Sequence, residues 1–163
     1  MLLKRFTVFP FLFIFILGCG ETKDSFYPNL DAAKKAGAIE RGWIPGIIPE
    51  SSKEIYERHN LDTNRVWIRF KFERKDIEGL IQQLEEISPT EIERIKFISP
   101  GSVNWWPKKL DKDSFSVKGP HSELKIYKYN RVMEYADKHS KRIVSFFVID
   151  SDSNIAYYWQ PDS

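Results

Sequence analysis

Residues 143–149 (IVSFFVI) constrain the fold of this chain more than any other stretch of its sequence. All but one of these residues are apolar, which is typical of a central strand that is covered on both faces of a sheet. Residues 150–154 contain only Asp, Ser and Asn, which favour tight turns, and residues 155–159 predict a returning strand. With the alternating segment 123–135 before them, these elements predict a three-strand antiparallel meander, with a helix at residues 130–138 as the alternative for the end of that segment.

A further strand is predicted at residues 65–72 (RVWIRFKF), where side chains alternate with the two-residue period of a half-buried strand. Residues 76–88 predict the main helix, because apolar residues recur there at three- and four-residue spacing: Ile77, Leu80, Ile81, Leu84 and Ile87. The predicted fold class is therefore α+β. We expect a small single domain in which an antiparallel sheet, including the C-terminal meander, is packed by one main helix and short N-terminal helices.

Those short helices are predicted from their capping signals. Asn29 can cap a helix that ends near Gly37, a residue that readily adopts the left-handed closing conformation. Ser51 and Glu54 have the spacing of a capping box, which predicts a second helix at residues 52–59.

The start of the chain has the organisation of a secretory signal, with Lys4 and Arg5 ahead of the apolar run 6–17. That run is shorter than the roughly 20 residues that cross a bilayer, so an uncleaved transmembrane anchor is the weaker alternative. The predicted organisation is a signal peptide at residues 1–18, a polar tether at 19–28 and one domain at 29–163.

The end of the apolar run, Ile16-Leu17-Gly18-Cys19, resembles the lipobox of bacterial membrane lipoproteins. This resemblance implies cleavage before Cys19, a diacylglycerol on its thiol and acylation of the new amine. It also implies a lipid-anchored protein on the periplasmic or extracellular side of the bacterial cell membrane. Because Gly20 is not an aspartate, the resemblance implies delivery to the outer membrane in a cell with two membranes.

The charges of the chain balance once this leader is removed. Lys4 and Arg5 account for two of the 25 basic residues, which leaves 23 basic residues against 23 acidic ones. Binding to nucleic acid needs a clustered excess of Lys and Arg, so we expect no nucleic-acid partner. Cys19 is the only cysteine, so no disulfide is expected and the core must be held by packing.

The candidate binding residues are tryptophans. Trp105 and Trp106 lie in the Pro- and Gly-containing segment 99–120, and a long irregular segment of this kind is often functional. Exposed neighbouring tryptophans are typical of contact surfaces, although one of them could instead fill the core beneath the loop. Trp67 is a further candidate, because it lies among the basic residues of its strand; a covering element would bury it instead.

No motif predicts a catalytic residue, a metal ligand or a cofactor. Residues 150–154 imitate the opening of a calcium loop, but Ile155 stands where that loop needs glycine. Ser122 and Lys125 have the spacing of a serine–lysine acylase but open a predicted strand rather than a helix. The three histidines have no paired spacing, so surface or capping roles are expected for all of them: His59, His121 and His139.

Three segments, AGAIERGWIP, HNLDTNRVWIRF and FFVID…NIAYYW, are similar to small bacterial lipoproteins with a YbbD-head-type domain. The resemblance spans about residues 26–160 and implies one domain behind the lipobox, with no established activity. We therefore expect a non-enzymatic envelope lipoprotein that binds a protein partner, of which an immunity lipoprotein against a secreted toxin is one version. The alternative is an envelope hydrolase with catalytic groups from separate segments, around Glu40, Asp62 or His121.

Overall fold

A computed structural model describes residues 21–92, 94–95, 97–107, 110, 124–134 and 140–161. Within them, seven strands form one antiparallel sheet in the order β1-β2-β3-β7-β6-β5-β4. The strands are β1 (Thr22–Asn29), β2 (Lys53–Asn60), β3 (Val66–Lys71), β4 (Glu85–Glu86), β5 (Leu124–Glu134), β6 (Ser140–Asp150) and β7 (Ile155–Gln160). The helical elements are α1 (Leu30–Lys35), a 3-10 turn (Arg74–Asp76), α2 (Ile77–Ile81) and α3 (Pro89–Ile92). In the described residues, no helix is long and apolar enough to cross a membrane.

The sheet separates two clusters of buried side chains, one on each face. The first face packs against α1, the turns that follow it and α2, and its cluster includes Leu30, Ile44, Phe70, Phe147 and Tyr158. The second face is covered by the segment between α3 and residue 110, and its cluster includes Trp67, Phe97, Trp106, Val148 and Trp159. Both faces of the central strands are therefore buried.

The C-terminal meander is confirmed. Strand β6 pairs with β5 along its whole length and with β7 through a turn in which Asn154 has a left-handed backbone, with φ 52°. Strand β7 is central because its other side pairs with β3, which joins the meander to the N-terminal strands. The first predicted helix is also confirmed, since the Asn29 side chain accepts a hydrogen bond from the Ala32 amide at 2.9 Å and Gly37 has φ 70°.

The predicted fold class, α+β with one main helix, is wrong. Residues 76–88 do not form one helix, because α2 ends at Ile81 and β4 pairs with β5 at Glu85–Glu86. Leu80 packs on the first face of the sheet, whereas Ile87 is buried on the second face. The regularly spaced apolar residues of 76–88 therefore lie on a segment that passes around the edge of the sheet from one face to the other. The architecture is a mainly antiparallel sheet with short helices.

The predicted helix at residues 52–59 is also wrong. Strand β2 occupies this segment and pairs with β1 on one side and β3 on the other. Ser51 does not cap a local helix; its hydroxyl accepts a hydrogen bond from the Glu73 amide at 3.0 Å and donates to Asp76. Pairing on both sides of the strand thus overrides a local capping signal.

Strand β1 occupies most of the segment for which the sequence predicts a tether. Its side chains alternate, so that Tyr27 is buried in the first cluster while Phe26 lies on the other face. The described sheet therefore begins at Thr22, three residues after Cys19.

Two Phe→Ala substitutions test the packing. Phe147 is fully buried in β6, so Phe147→Ala should lower the free energy of unfolding by about 3–5 kcal/mol, because it removes apolar contacts and leaves a cavity. The matched control is Phe26→Ala, which should cost less than about 1 kcal/mol because that ring is largely exposed. Urea unfolding measures both free energies of unfolding. Equal losses would contradict the burial of Phe147 and the exposure of Phe26.

Candidate functional site

An open groove lies on the second face of the sheet, at its β1 edge. Three aromatic side chains form it, Phe26 from β1, Tyr56 from β2 and Trp105 from the covering segment, and we call it the aromatic groove. It has a volume of about 520 Å³ and its remaining lining is mostly polar: Asp24, Ser25, Arg58, Ser102, Val103 and Asn104.

The three rings form a continuous row. The ring centroids of Phe26 and Tyr56 are 4.9 Å apart, and those of Tyr56 and Trp105 are 6.0 Å apart with their planes inclined by 23°. Phe26 is 54% exposed, although a phenylalanine in a strand usually buries its ring. The guanidinium of Arg69 lies over Tyr56, 5.5 Å from the ring centroid, and adds a cation–π contact.

The register of two strands explains why these side chains meet. Phe26 pairs directly with Tyr56 and Asp24 pairs directly with Arg58, and residues paired in this way project from the same face. The aromatic pair and the charged pair therefore lie side by side on the edge of the sheet.

Arg58 fixes one wall of the groove. Its guanidinium donates two hydrogen bonds to the Asp24 carboxylate and a third, of 2.7 Å, to the carbonyl of Pro100. The hydrogen bond from Arg58 lowers the pKa of Asp24 below its usual value. One arginine thus ties the covering segment to the first strand.

The structure divides the three predicted tryptophans. Trp105 is half-buried and lines the groove. Trp106 is buried and packs edge-on against Trp105, with ring centroids 5.8 Å apart. Trp67 is also buried, because the covering segment lies over it and the Ile98 carbonyl accepts a 2.7 Å hydrogen bond from its indole N–H. Trp67 and Trp106 therefore belong to the second buried cluster, and neither is among the residues that line the groove.

A second cavity, of about 210 Å³, lies on the first face of the sheet. Its wall includes Arg41, Trp43, His59 and Arg131, and we call it the polar pocket. The rest of its lining comes from turns and from strand ends: Gly42, Asn60, Leu61, Asn64, Val66, Ile143 and Gln160.

His59 is not at the surface, so that prediction is wrong for this histidine. Its Nδ1 lies 2.6 Å from the Oε1 atom of Glu57, and both side chains are buried. Its ring stacks on Trp43 with 3.8 Å between centroids. The other two, His121 and His139, lie outside the described residues, as does Ser122.

The acidic residues named for a hydrolase do not converge. Glu40 and Asp62 are both exposed and neither lines the polar pocket. Within the described part of the chain, no three His, Cys, Asp or Glu residues are placed to hold a metal ion.

The sequence contained a signal for the Glu57–His59 pair. Ile55, Glu57 and His59 are spaced two apart, so that in a strand they share one face with the core. The capping-box spacing at Ser51 indicated a helix instead, which would have put Glu57 on the opposite side from Ile55 and His59.

The family comparison matches the N-terminal part of the chain. Residues 21–71 match the family model of the YbbD head domain, which confirms the predicted resemblance for that segment. The match ends at Lys71, the last residue of β3, and so takes in β1, α1, β2 and β3. No curated protein and no solved structure matches the chain.

Glu57 should make stability depend on pH. Burial raises the pKa of its carboxyl above the usual value of 4.5. The folded state thus holds this proton more tightly than the unfolded chain does. The contribution of Glu57 to the free energy of unfolding is therefore fully present below about pH 4.5. It is lost as the pH rises through the folded-state pKa.

Glu57→Gln should remove this loss, because glutamine keeps an acceptor for the imidazole N–H but does not ionise. Urea unfolding between about pH 4 and pH 8 measures the difference from the unmodified protein. The exposed Glu78→Gln is the matched control and should leave the pH profile unchanged. Parallel profiles for Glu57→Gln and the unmodified chain would contradict the raised pKa.

Proposed function

We propose that this chain is a lipid-anchored protein of the bacterial envelope whose aromatic groove binds an extended segment of a protein partner without catalysis. The observation that carries the proposal is the exposed ring of Phe26, which stands on an edge strand beside Tyr56 and Trp105. Aromatic and arginine side chains are enriched at protein-binding surfaces, and the groove combines both.

The position of β1 supports an extended partner segment. In the part of the chain that the structure describes, β1 is the last strand on its side of the sheet. The outer edge of such a strand offers backbone N–H and C=O groups to an added strand, while alternate side chains of that strand enter neighbouring pockets. The aromatic groove begins at this edge, so backbone pairing and side-chain docking can occur together.

The envelope location rests on the Gly18-Cys19 resemblance and on the short connection to the sheet. Cys19 precedes Thr22 by three residues, which span at most about 10 Å. A lipid on Cys19 would therefore hold the β1 edge close to the bilayer. A partner in the same membrane or bound to it fits this position, and an immunity lipoprotein that captures an incoming toxin is one version.

The hydrolase alternative has weaker support. Its proposed acids Glu40 and Asp62 are exposed, and no Ser, Thr or Cys is among the described residues that line the polar pocket. The Glu57–His59 pair favours it, because a carboxylate can orient a histidine for general-base catalysis.

Site-specific photocrosslinking in cells tests the groove. Benzoylphenylalanine at Phe26 should give a discrete crosslinked protein, whereas the same residue at Leu61, the other large exposed apolar side chain of the described residues, should not. Trp105→Ala should reduce the Phe26 crosslink by about tenfold, because it removes one wall of the groove. Equal crosslinking from both positions, or an undiminished product in Trp105→Ala, would contradict the proposal.

Metabolic labelling with palmitate tests the anchor. The unmodified chain should incorporate the label and sediment with membranes, whereas Cys19→Ser should do neither, because the lipid needs the thiol. A second variant, Ser25→Cys, supplies a cysteine outside the lipobox in the Cys19→Ser chain and should not restore labelling. Membrane sedimentation of processed Cys19→Ser would show that another part of the chain carries the anchor.

A further inference from the structure

We propose that the polar pocket binds a small carboxylate that carries an apolar or aromatic group. The pocket lies on the opposite face of the sheet from the aromatic groove. The inference is therefore independent of the proposed function and can fail or succeed without it.

The first observation is the unpartnered nitrogen of His59. The side chain is 2% exposed, its Nδ1 contacts Glu57, and its Nε2 has no hydrogen-bond partner among the described residues. Buried polar atoms are almost always hydrogen-bonded, so a buried imidazole nitrogen on the wall of a cavity indicates a partner that enters the cavity.

The second observation is the charge of the pocket. The guanidinium carbon of Arg41 lies 4.2 Å from the centroid of the Trp43 ring, and one of its nitrogens donates to the carbonyl of Ala36. The guanidinium of Arg131, a residue of β5, lies beside Gly42, whose backbone φ is 76°. No acidic residue is among the described residues that line the pocket, so this part of its wall is suited to an anion.

The apolar part of the wall indicates what else the occupant carries. Trp43, Val66 and Ile143 line the pocket together with Leu61, which is exposed. Arginine pairs well with a planar carboxylate, and apolar walls favour a ligand with a ring or an alkyl group over a bare inorganic ion.

The Glu57–His59 pair should couple this binding to a proton. When one proton lies between the two groups, Nε2 can only accept a hydrogen bond and would face the carboxylate unfavourably. When the pair holds a second proton, Nε2 donates and the pair is neutral in total. Binding of the carboxylate should therefore take up one proton. In the pH range where the Glu57–His59 pair loses its second proton, the affinity of the pocket for the carboxylate should fall by up to about tenfold per pH unit.

Four other charged side chains lie near the Glu57–His59 pair or on the pocket wall: Lys23, Asp24, Arg41 and Arg131. Lys23 pairs with His59 across β1 and β2 and is exposed, and Asp24 is held by Arg58. Arg41 and Arg131 are the charged side chains of the described pocket wall. The Glu57–His59 pair is thus the group expected to set the pH dependence.

The test uses the full chain in detergent micelles, with benzoate as the probe and benzamide as its neutral isostere. Nitrogen-15 NMR of the histidine side chains follows His59. Benzoate should shift the Nε2 resonance to that of a protonated, donating nitrogen, benzamide should bind at least about tenfold more weakly, and benzoate affinity should fall as the pH rises.

Arg131→Gln should weaken benzoate binding by about tenfold or more, and Arg41→Gln provides a second variant if the first does not fold. The matched control is Arg74→Gln, at an exposed arginine of the 3-10 turn, which should bind as the unmodified chain does. Equal affinity for benzoate and benzamide, an unmoved His59 resonance at saturating benzoate, or tighter binding of inorganic phosphate than of benzoate would each overturn the proposal.

Discussion

The pairing of β3 with β7 is the interaction on which the rest of the structure depends. It joins residues 66–71 to residues 155–160 and so unites the N-terminal strands with the C-terminal meander in one sheet. Every pair in this register places an apolar or aromatic side chain of β7, or Gln160 at its end, against β3, and Trp159 and Tyr158 project to opposite faces. The central strand β7 therefore contributes side chains to both buried clusters.

Strand β2 carries both candidate sites on alternate residues. Tyr56 and Arg58 face the aromatic groove, whereas Glu57 and His59 face the other side, where His59 lines the polar pocket. The two-residue period of a strand thus separates an open, largely aromatic surface from a buried pair of titratable groups. The open surface suits a macromolecule and the enclosed, cationic one suits a small anion, which is why different ligands are proposed for them.

Strands with a clear period could be predicted from the sequence, and elements defined by long-range contacts could not. The 143–149 run and the alternation of 65–72 are local patterns, and both became strands of the sheet. The apolar stripe of 76–88 was equally clear but misleading, because Leu80 and Ile87 are buried on different faces and only the sheet edge explains the turn between them.

For the site, the sequence singled out Trp105 but not Phe26 or Tyr56, whose meeting depends on the register of β1 and β2. Arg41, His59 and Arg131 come from three separate elements, so no local pattern could bring them together.

The β3–β7 pairing also has a consequence for biogenesis. A chain that crosses a membrane from its N-terminus would deliver residues 21–71, the segment that matches the YbbD head domain, well before residues 155–160. Until those last residues arrive, the inner edge of β3 has no neighbour and the apolar side chains of Ile68 and Phe70 lack much of their final cover. Contacts between such distant parts of a sequence form slowly, and unpaired strand edges attract other chains. A chain that emerges from its N-terminus would thus expose this edge to other chains for the interval between the emergence of β3 and that of β7.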